Sequence, residues 1–149
     1  MKYILLFFLV FLSVNVFSQR KNDSIAIVQL IIDDYKTMGT WNLKKHLENV
    51  TKSYLLIEKG EVLNLKMESE YFKSNAYRLI DRKDFFEFRH VRINGNYAYA
   101  VYNLKSDILE NGKLITWKWI ESVIVRKIKG NWKIELIHST PIDKIEIIK

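Results

Sequence analysis

The chain has 149 residues, with 24 Lys and Arg against 17 Asp and Glu, 48% hydrophobic residues, one proline and no cysteine. That length predicts one domain, and the composition excludes a disordered chain, a disulfide-stapled miniprotein and any metal site or nucleophile built on cysteine. The totals are skewed by residues 1–18, which hold 14 hydrophobic residues and one charge, Lys2; the 131 residues that follow carry 23 basic and 17 acidic side chains, a net charge of +6.

Met1 and Lys2 make a short positive start, Tyr3 to Leu12 is an unbroken apolar run, and Val16-Phe17-Ser18 leads into Gln19 as a signal-peptide cleavage site requires. Ser13 and Asn15 interrupt the run, which falls short of the roughly 20 apolar residues that a membrane-spanning helix needs. No cysteine is present for lipid attachment. The expectation is a cleaved signal peptide over 1–18, a mature domain over 19–149, and a periplasmic or secreted protein with no membrane partner after cleavage.

Glycine and proline punctuate the rest. Asn22 or Asp23 is expected to cap a helix in which Ile25, Val28, Ile32 and Tyr35 stand at helical spacing, widened by Ile31 and Met38 and closed by Gly39. Asn42 then starts a shorter helix with Leu43, Leu47 and Val50 at i, i+4 and i+7. Tyr54–Ile57 and Val62–Leu63 flank Glu58-Lys59-Gly60-Glu61 as a short hairpin, and 67–77 fits a third helix.

From Asp84 the period is close to two. Strands are expected over 85–93, 97–105, 114–127 and 132–140, with turns at Asn94-Gly95, Asn111-Gly112 and Lys129-Gly130 and an end at Pro141. Asn-Gly is the preferred pair of a type I′ turn, because both positions need positive φ. Helices first and an antiparallel meander second give the α+β class.

The last hairpin holds the candidate chemistry. A two-residue loop at Lys129-Gly130 puts Lys127 opposite Trp132, Val125 opposite Ile134, Val123 opposite Leu136 and Glu121 opposite His138. Trp117, Trp119, Glu121, Val123 and Val125 then share one face with Trp132, Ile134, Leu136 and His138. A carboxylate and an imidazole side by side on a tryptophan-rich apolar face are either a structural pair satisfying each other or an acid-base pair at the floor of a pocket. Burial would raise the Glu121 pKa and lower that of His138, while their attraction acts oppositely on each.

Gly39 with Asn42, Gly95-Asn96-Tyr97-Ala98, Glu121-Ser122, and Gly130-Asn131-Trp132-Lys133-Ile134 leading to His138-Ser139-Thr140 resemble the nuclear transport factor 2-like superfamily, in particular its SnoaL-like bacterial branch. The resemblance covers most of the mature chain. It implies a cone-shaped, strongly curved antiparallel sheet wrapped around the N-terminal helices (a cystatin-like roll), an open pocket within it, and frequently a homodimer through the convex face. The superfamily includes isomerases, dehydratases, polyketide cyclases and members without known activity, so fold alone does not give the chemistry. Its steroid isomerase branch needs an aspartate base with a tyrosine and a protonated aspartic acid, a set this sequence does not display.

Three functions follow as expectations. The first is a domain binding a small, partly apolar or anionic molecule without turnover, lined by Trp117, Trp119, Glu121, His138 and Tyr102. The second is an acid-base isomerase, dehydratase or hydrolase with His138 as base and Glu121 orienting it. The third is a homodimeric interaction module using the convex face. Tyr97, Tyr99 and Tyr102 lie on one strand, and only one alternating set faces the pocket. Asp33 and Asp34 read as a solvated helix face. Arg82-Lys83, Arg89-His90-Val91-Arg92 and Arg126-Lys127 with Lys129 are local basic density on strands, and export argues against a nucleic-acid partner. His46 and His90 are isolated, so no metal and no other cofactor is expected. Asn22-Asp23-Ser24 and Asn49-Val50-Thr51 match the glycosylation pattern, relevant only in a eukaryotic secretory pathway.

Overall fold

The structure is a computed structural model that describes residues 22–148, with side chains through residue 142; the segment read as a signal peptide lies outside the described residues. Residues 22–40 form helix α1. There follow α2 (Leu43–Asn49), β1 (Val50–Glu58), β2 (Glu61–Asn64), α3 (Leu65–Asn75), β3 (Asp81–Asn94), β4 (Tyr97–Glu110), β5 (Lys113–Ile128) and β6 (Asn131–Ile148). The strands make one open, curved sheet in the order β2-β1-β6-β5-β4-β3. All pairings are antiparallel except β1 with β6, which is parallel. The expected α+β roll around N-terminal helices is what forms, with that one parallel pair in it.

The meander is legible as alternation. Along β4, Ala98, Ala100, Tyr102, Leu104 and Ser106 are buried and point to the concave face, while Tyr97, Tyr99 and Lys105 point outward. Ile27, Ile31 and Tyr35 of α1 meet Val123, Val125, Ile134 and Ile137 in the core; burying an aliphatic side chain of this kind contributes about 1.5–3 kcal/mol. The inward stripe of α1 is thus set by 27, 31, 34, 35 and 38, and Ile25, expected to face the core, is 60% exposed. Asp23 is more than a candidate cap: its Oδ1 accepts from Lys127 Nζ at 2.7 Å and Trp132 Nε1 at 2.9 Å, tying α1 to the last hairpin.

Gly39 does not close α1. Trp41 holds the left-handed position (φ 50), with the Asn42 N–H donating back to Thr37 O at 2.9 Å as in a Schellman motif. Its indole is held there by edge contacts with Tyr71 and Phe72 and by donation from Nε1 to Arg78 O at 3.1 Å. The Lys59-Gly60, Asn111-Gly112 and Lys129-Gly130 turns have positive φ at both residues, as type I′ requires. The β3–β4 turn instead centres on Gly95-Asn96 with only Gly95 at positive φ, which is the type II′ pattern rather than the expected Asn94-Gly95 type I′.

Four register shifts bend the sheet, one of them between β1 and β6 after Val50. On β3, Arg89 has no partner between Phe88 and His90; on β6, residues 135 and 142 stand out of register with β5. β6 therefore continues through Pro141, which sits beside the second of these bulges, where a missing N–H disturbs an already broken ladder least.

Candidate functional site

Glu121 lies on the concave face of β5 because it keeps phase with Trp119, Val123 and Val125. The register expected from the Lys129-Gly130 loop holds as far as Lys127 opposite Trp132 and Val125 opposite Ile134. There Glu135 bulges out, its carboxylate taken by Ser53 Oγ at 3.0 Å and Arg126 Nη1 at 3.5 Å. Beyond that bulge every β6 residue moves by one. Ile137 faces Val123, Ser139 faces Glu121, and His138 faces Ser122 and is exposed on the outer side of the sheet. The expected Glu121–His138 pair does not form, and His138 cannot act as a base inside the cone.

What meets Glu121 instead is a ring of hydroxyls. Tyr35, brought by α1, donates to Glu121 Oε2 at 2.5 Å, and Ser139 donates to Oε1 at 2.7 Å. Tyr102, next to Glu121 on β4, is fully buried, and its hydroxyl completes no hydrogen bond. Phe88 and Phe86 pack against the Tyr102 ring at 5.0 and 5.6 Å, and Phe86 meets Tyr35 edge-on at 5.4 Å. Arg82 covers the other side of Tyr35, 5.5 Å from its centroid, while binding Asp84 through Nε.

Burial raises the Glu121 pKa above the usual carboxylate value, the hydrogen bonds from the hydroxyls oppose the shift, and the charge of Glu58 adds to it. Glu58 is on the same row: it stands beside Ser139, which stands beside Glu121. The Tyr35 hydroxyl is pushed well above its ordinary pKa by burial and by Glu121, and that of Tyr102 likewise. Burial thus works against negative charge on all three groups.

Trp117 and Trp119 extend the same concave face, stacked at 5.6 Å and 18°. Trp119 packs against the core, and its Nε1 is buried without a hydrogen bond. Of the tyrosines on β4, Tyr97 and Tyr99 point outward, each 48% exposed, and Tyr102 points inward. The structure thus brings Trp117, Trp119, Glu121 and Tyr102 to one face and leaves His138 off it.

A second buried cluster escaped the sequence reading. Asp34, fully buried, accepts from Asn49 Nδ2 at 3.0 Å and stands 3.0 Å from His46 Nδ1. His46 Nε2 is 3.3 Å from Glu68 Oε2, and Tyr54 donates to Glu68 Oε1 at 3.4 Å. Burial alone would lower the His46 pKa, but the hydrogen bond to Asp34 and the nearby charges of Asp34 and Glu68 outweigh it and raise it to about 9. Asp33 is the solvated member of its pair, bound to Lys36 at 2.7 Å. Asp34 had a signal, since it falls within the inward stripe of α1. His46 had none: the Leu43, Leu47 and Val50 stripe predicted another face for α2, yet Leu47 is 44% exposed and His46 and Asn49 are buried. No group of three or more His, Cys, Asp or Glu among the described residues has metal-holding geometry.

Two recesses flank the sheet. One, of about 290 Å³, opens between Phe85, Asn103, Lys105, Lys118 and Ile142 and also touches Phe86 and Trp119; the other, of about 330 Å³, lies between β1 and the start of α3.

No protein-family model matches the sequence, and no curated protein matches it significantly. Solved structures do match in fold. A nuclear transport factor 2-like protein from Cytophaga hutchinsonii superposes with a TM-score of 0.67 at 13% identity, over 78% of this chain and 95% of that one. A ketosteroid isomerase-like protein from Erwinia carotovora atroseptica does so at 0.67 and 13%, over 81% and 97%. The CaMKII hub of S. rosetta does so at 0.69 and 15%, over 80% and 96%. The fold is that of the nuclear transport factor 2-like proteins.

Proposed function

We propose that this chain is an exported domain that binds a small, partly apolar molecule at the mouth of its cone, against the stacked Trp117 and Trp119 and above Glu121. The observation that carries this reading is the Tyr102 hydroxyl, fully buried and short of a well-formed hydrogen bond beside the Glu121 carboxyl, whose pKa burial raises. An unpaired buried hydroxyl costs about 1–3 kcal/mol, a cost that a ligand's acceptor atom would remove. An anionic ligand fits this centre poorly, because the charge of Glu58 stands on the row that leads to Glu121. Export is supported by the charge and apolar pattern of residues 1–18.

The test is mass spectrometry of small molecules extracted from the purified mature protein, with Tyr102→Phe beside it. A copurifying molecule that the variant loses supports the reading; a wild type that carries and binds nothing overturns it.

A second reading, acid-base catalysis, is favoured by the raised pKa of Glu121, which brings a carboxyl nearer the working range of a general acid or base. Once a ligand is known, Glu121→Gln separates the two: binding kept and turnover lost means an enzyme, with Glu121 in the place first assigned to His138. A homodimer through the convex face is a further part of the proposal, supported by the exposure there of Tyr99, Ile120 and Ile124. Ile124→Lys is expected to turn the dimer into a monomer in sedimentation; an unchanged mass would remove that face from consideration.

A further inference from the structure

At the mouth of the cone one ammonium group is already held, and it belongs to the chain itself. Lys59 Nζ lies over the Trp117 ring, 5.3 Å from its centroid, and 4.0 Å from Glu58 Oε1. One nitrogen thus sits against an indole face and a carboxylate at once, the two groups by which proteins recognise organic cations. The indole belongs to a wider wall, because Trp117 is stacked on Trp119. The carboxylate is the outer member of the row that continues through Ser139 to Glu121, and its charge is felt there.

The resident ammonium holds this place weakly. The Lys59 side chain is 62% exposed and that of Glu58 28%, so water screens their attraction. Lys59 sits in a two-residue turn at φ 52, which fixes where its stem begins and leaves four carbons free to swing aside. A competing cation that is bulkier and less strongly hydrated than a lysine ammonium would cover more of the Trp117–Trp119 wall and keep the same carboxylate. Glu58 is the charged group at the open end of the row, and deeper in, Glu121 is met by the hydroxyls of Tyr35 and Ser139, which bring no positive charge to compete.

We propose that the cone mouth binds a small organic ammonium, methylated or quaternary, which displaces Lys59 from the face of Trp117 and is neutralised by Glu58. This inference rests on the reading of the mouth as a ligand site and adds the ligand's charge class. The test uses the full mature chain and two probes of one shape, choline and its neutral isostere 3,3-dimethylbutanol, with the Trp117 indole N–H resonance as readout. Choline is expected to bind at least about tenfold more tightly than the isostere, Glu58→Gln to weaken choline about tenfold, and Lys59→Met to strengthen it several-fold by vacating the indole face. The lysine variant separates this idea from general stickiness, since it removes a charge from an exposed side chain and leaves the core untouched.

Equal binding of the two probes, or a Lys59→Met variant with unchanged choline affinity, overturns the proposal. A neutral copurified molecule that shifts Trp117 where choline does not overturns the ammonium class and leaves the mouth as a ligand site. A Trp117 resonance that moves with no probe and no copurified molecule removes both readings.

Discussion

Two buried polar clusters start from neighbouring residues of α1, and they solve the same problem in opposite ways. Asp34 turns into a network of charges, with His46 held between Asp34 and Glu68. Tyr35, the next residue, turns into a network of hydroxyls around Glu121. The first cluster joins α1, α2, β1 and α3 through Asp34, His46, Asn49, Tyr54 and Glu68 and is sealed on every side. The second spans α1 and three strands, has its carboxyl pushed toward the acid form by burial, and leaves the Tyr102 hydroxyl without a well-formed hydrogen bond. An imidazole set between two carboxylates suits a structural joint, although Asp34 Oδ2, His46 Nε2 and Glu68 Oε2 complete no hydrogen bond in it; a carboxyl that burial pushes toward its acid form, beside an underused hydroxyl, suits a ligand. On the function proposed above, the Asp34 cluster belongs to the scaffold and the Glu121 cluster faces the ligand.

The largest expected effect breaks the scaffold side. His46→Ala leaves the buried Asp34 and Glu68 carboxylates facing each other and removes the ring stacked 4.9 Å from Phe72. A cost of about 3–5 kcal/mol is expected in denaturant unfolding. The wild type should show the matching pH dependence. With a folded pKa of about 9 against the ordinary histidine value of 6.5, the imidazolium contributes its full stability below pH 6.5. That contribution falls as pH rises and is gone above about 9, a loss of up to about 3 kcal/mol. His46→Ala should flatten the slope between those values; an unchanged slope would mean that His46 is not the charged centre of the joint.

Tyr35→Phe comes next. It removes the 2.5 Å donor to Glu121 and keeps the ring against Phe86. A loss of about 1.5–3 kcal/mol is expected if the carboxyl depends on that donor. Glu121→Gln should cost less than about 1 kcal/mol at neutral pH. The sign follows from the raised folded pKa: Glu121 binds its proton more tightly folded than unfolded, so its contribution is full below the unfolded value and is lost as pH rises through the folded one. A neutral amide removes that loss, and the variant should gain on the wild type as pH rises. A variant that instead loses several kcal/mol would show that Glu121 is a buried anion after all, and the two clusters would then be alike.

How far these clusters could be read in the sequence depends on how many chain segments each one needs. The strands were legible because Phe85 to Thr140 alternates with period two and its turns carry glycine. Glu121 was legible as an inward carboxyl because it keeps phase with Trp119 and Val123. Its partner was not, because the register slips at Glu135, and the one local sign of that slip is the adjacent apolar pair Leu136-Ile137, which breaks the alternation on which the pairing with His138 depended. Tyr35 meets Glu121 across 86 positions of sequence, and His46 meets Glu68 only after two helices have packed. No spacing rule carries such contacts, since they depend on how α1 lies across the sheet rather than on any period within it. The exposure of Leu47 is the same lesson in reverse: an apolar stripe named a face of α2, and the buried ion network used another.

The smallest expected effect on stability is the most discriminating. Tyr102 and Tyr35 are both buried phenols beside Glu121, and they differ in that only the Tyr35 hydroxyl is engaged. Tyr102→Phe therefore removes a hydroxyl that makes no well-formed hydrogen bond in the folded protein, and unfolding should report a change near zero or a gain of up to about 1 kcal/mol. Tyr35→Phe, identical in chemistry and burial, should lose stability. Ligand binding should reverse the order of importance, with Tyr102→Phe weakening any copurifying molecule by about tenfold while the fold is unaffected. If the two variants lose stability equally, the Tyr102 hydroxyl is part of the scaffold and the contrast between the clusters narrows to their charges. If Tyr102→Phe is stabilising and ligand affinity falls, the chain retains an internal defect that has a use, and the place of that use is the floor of the cone.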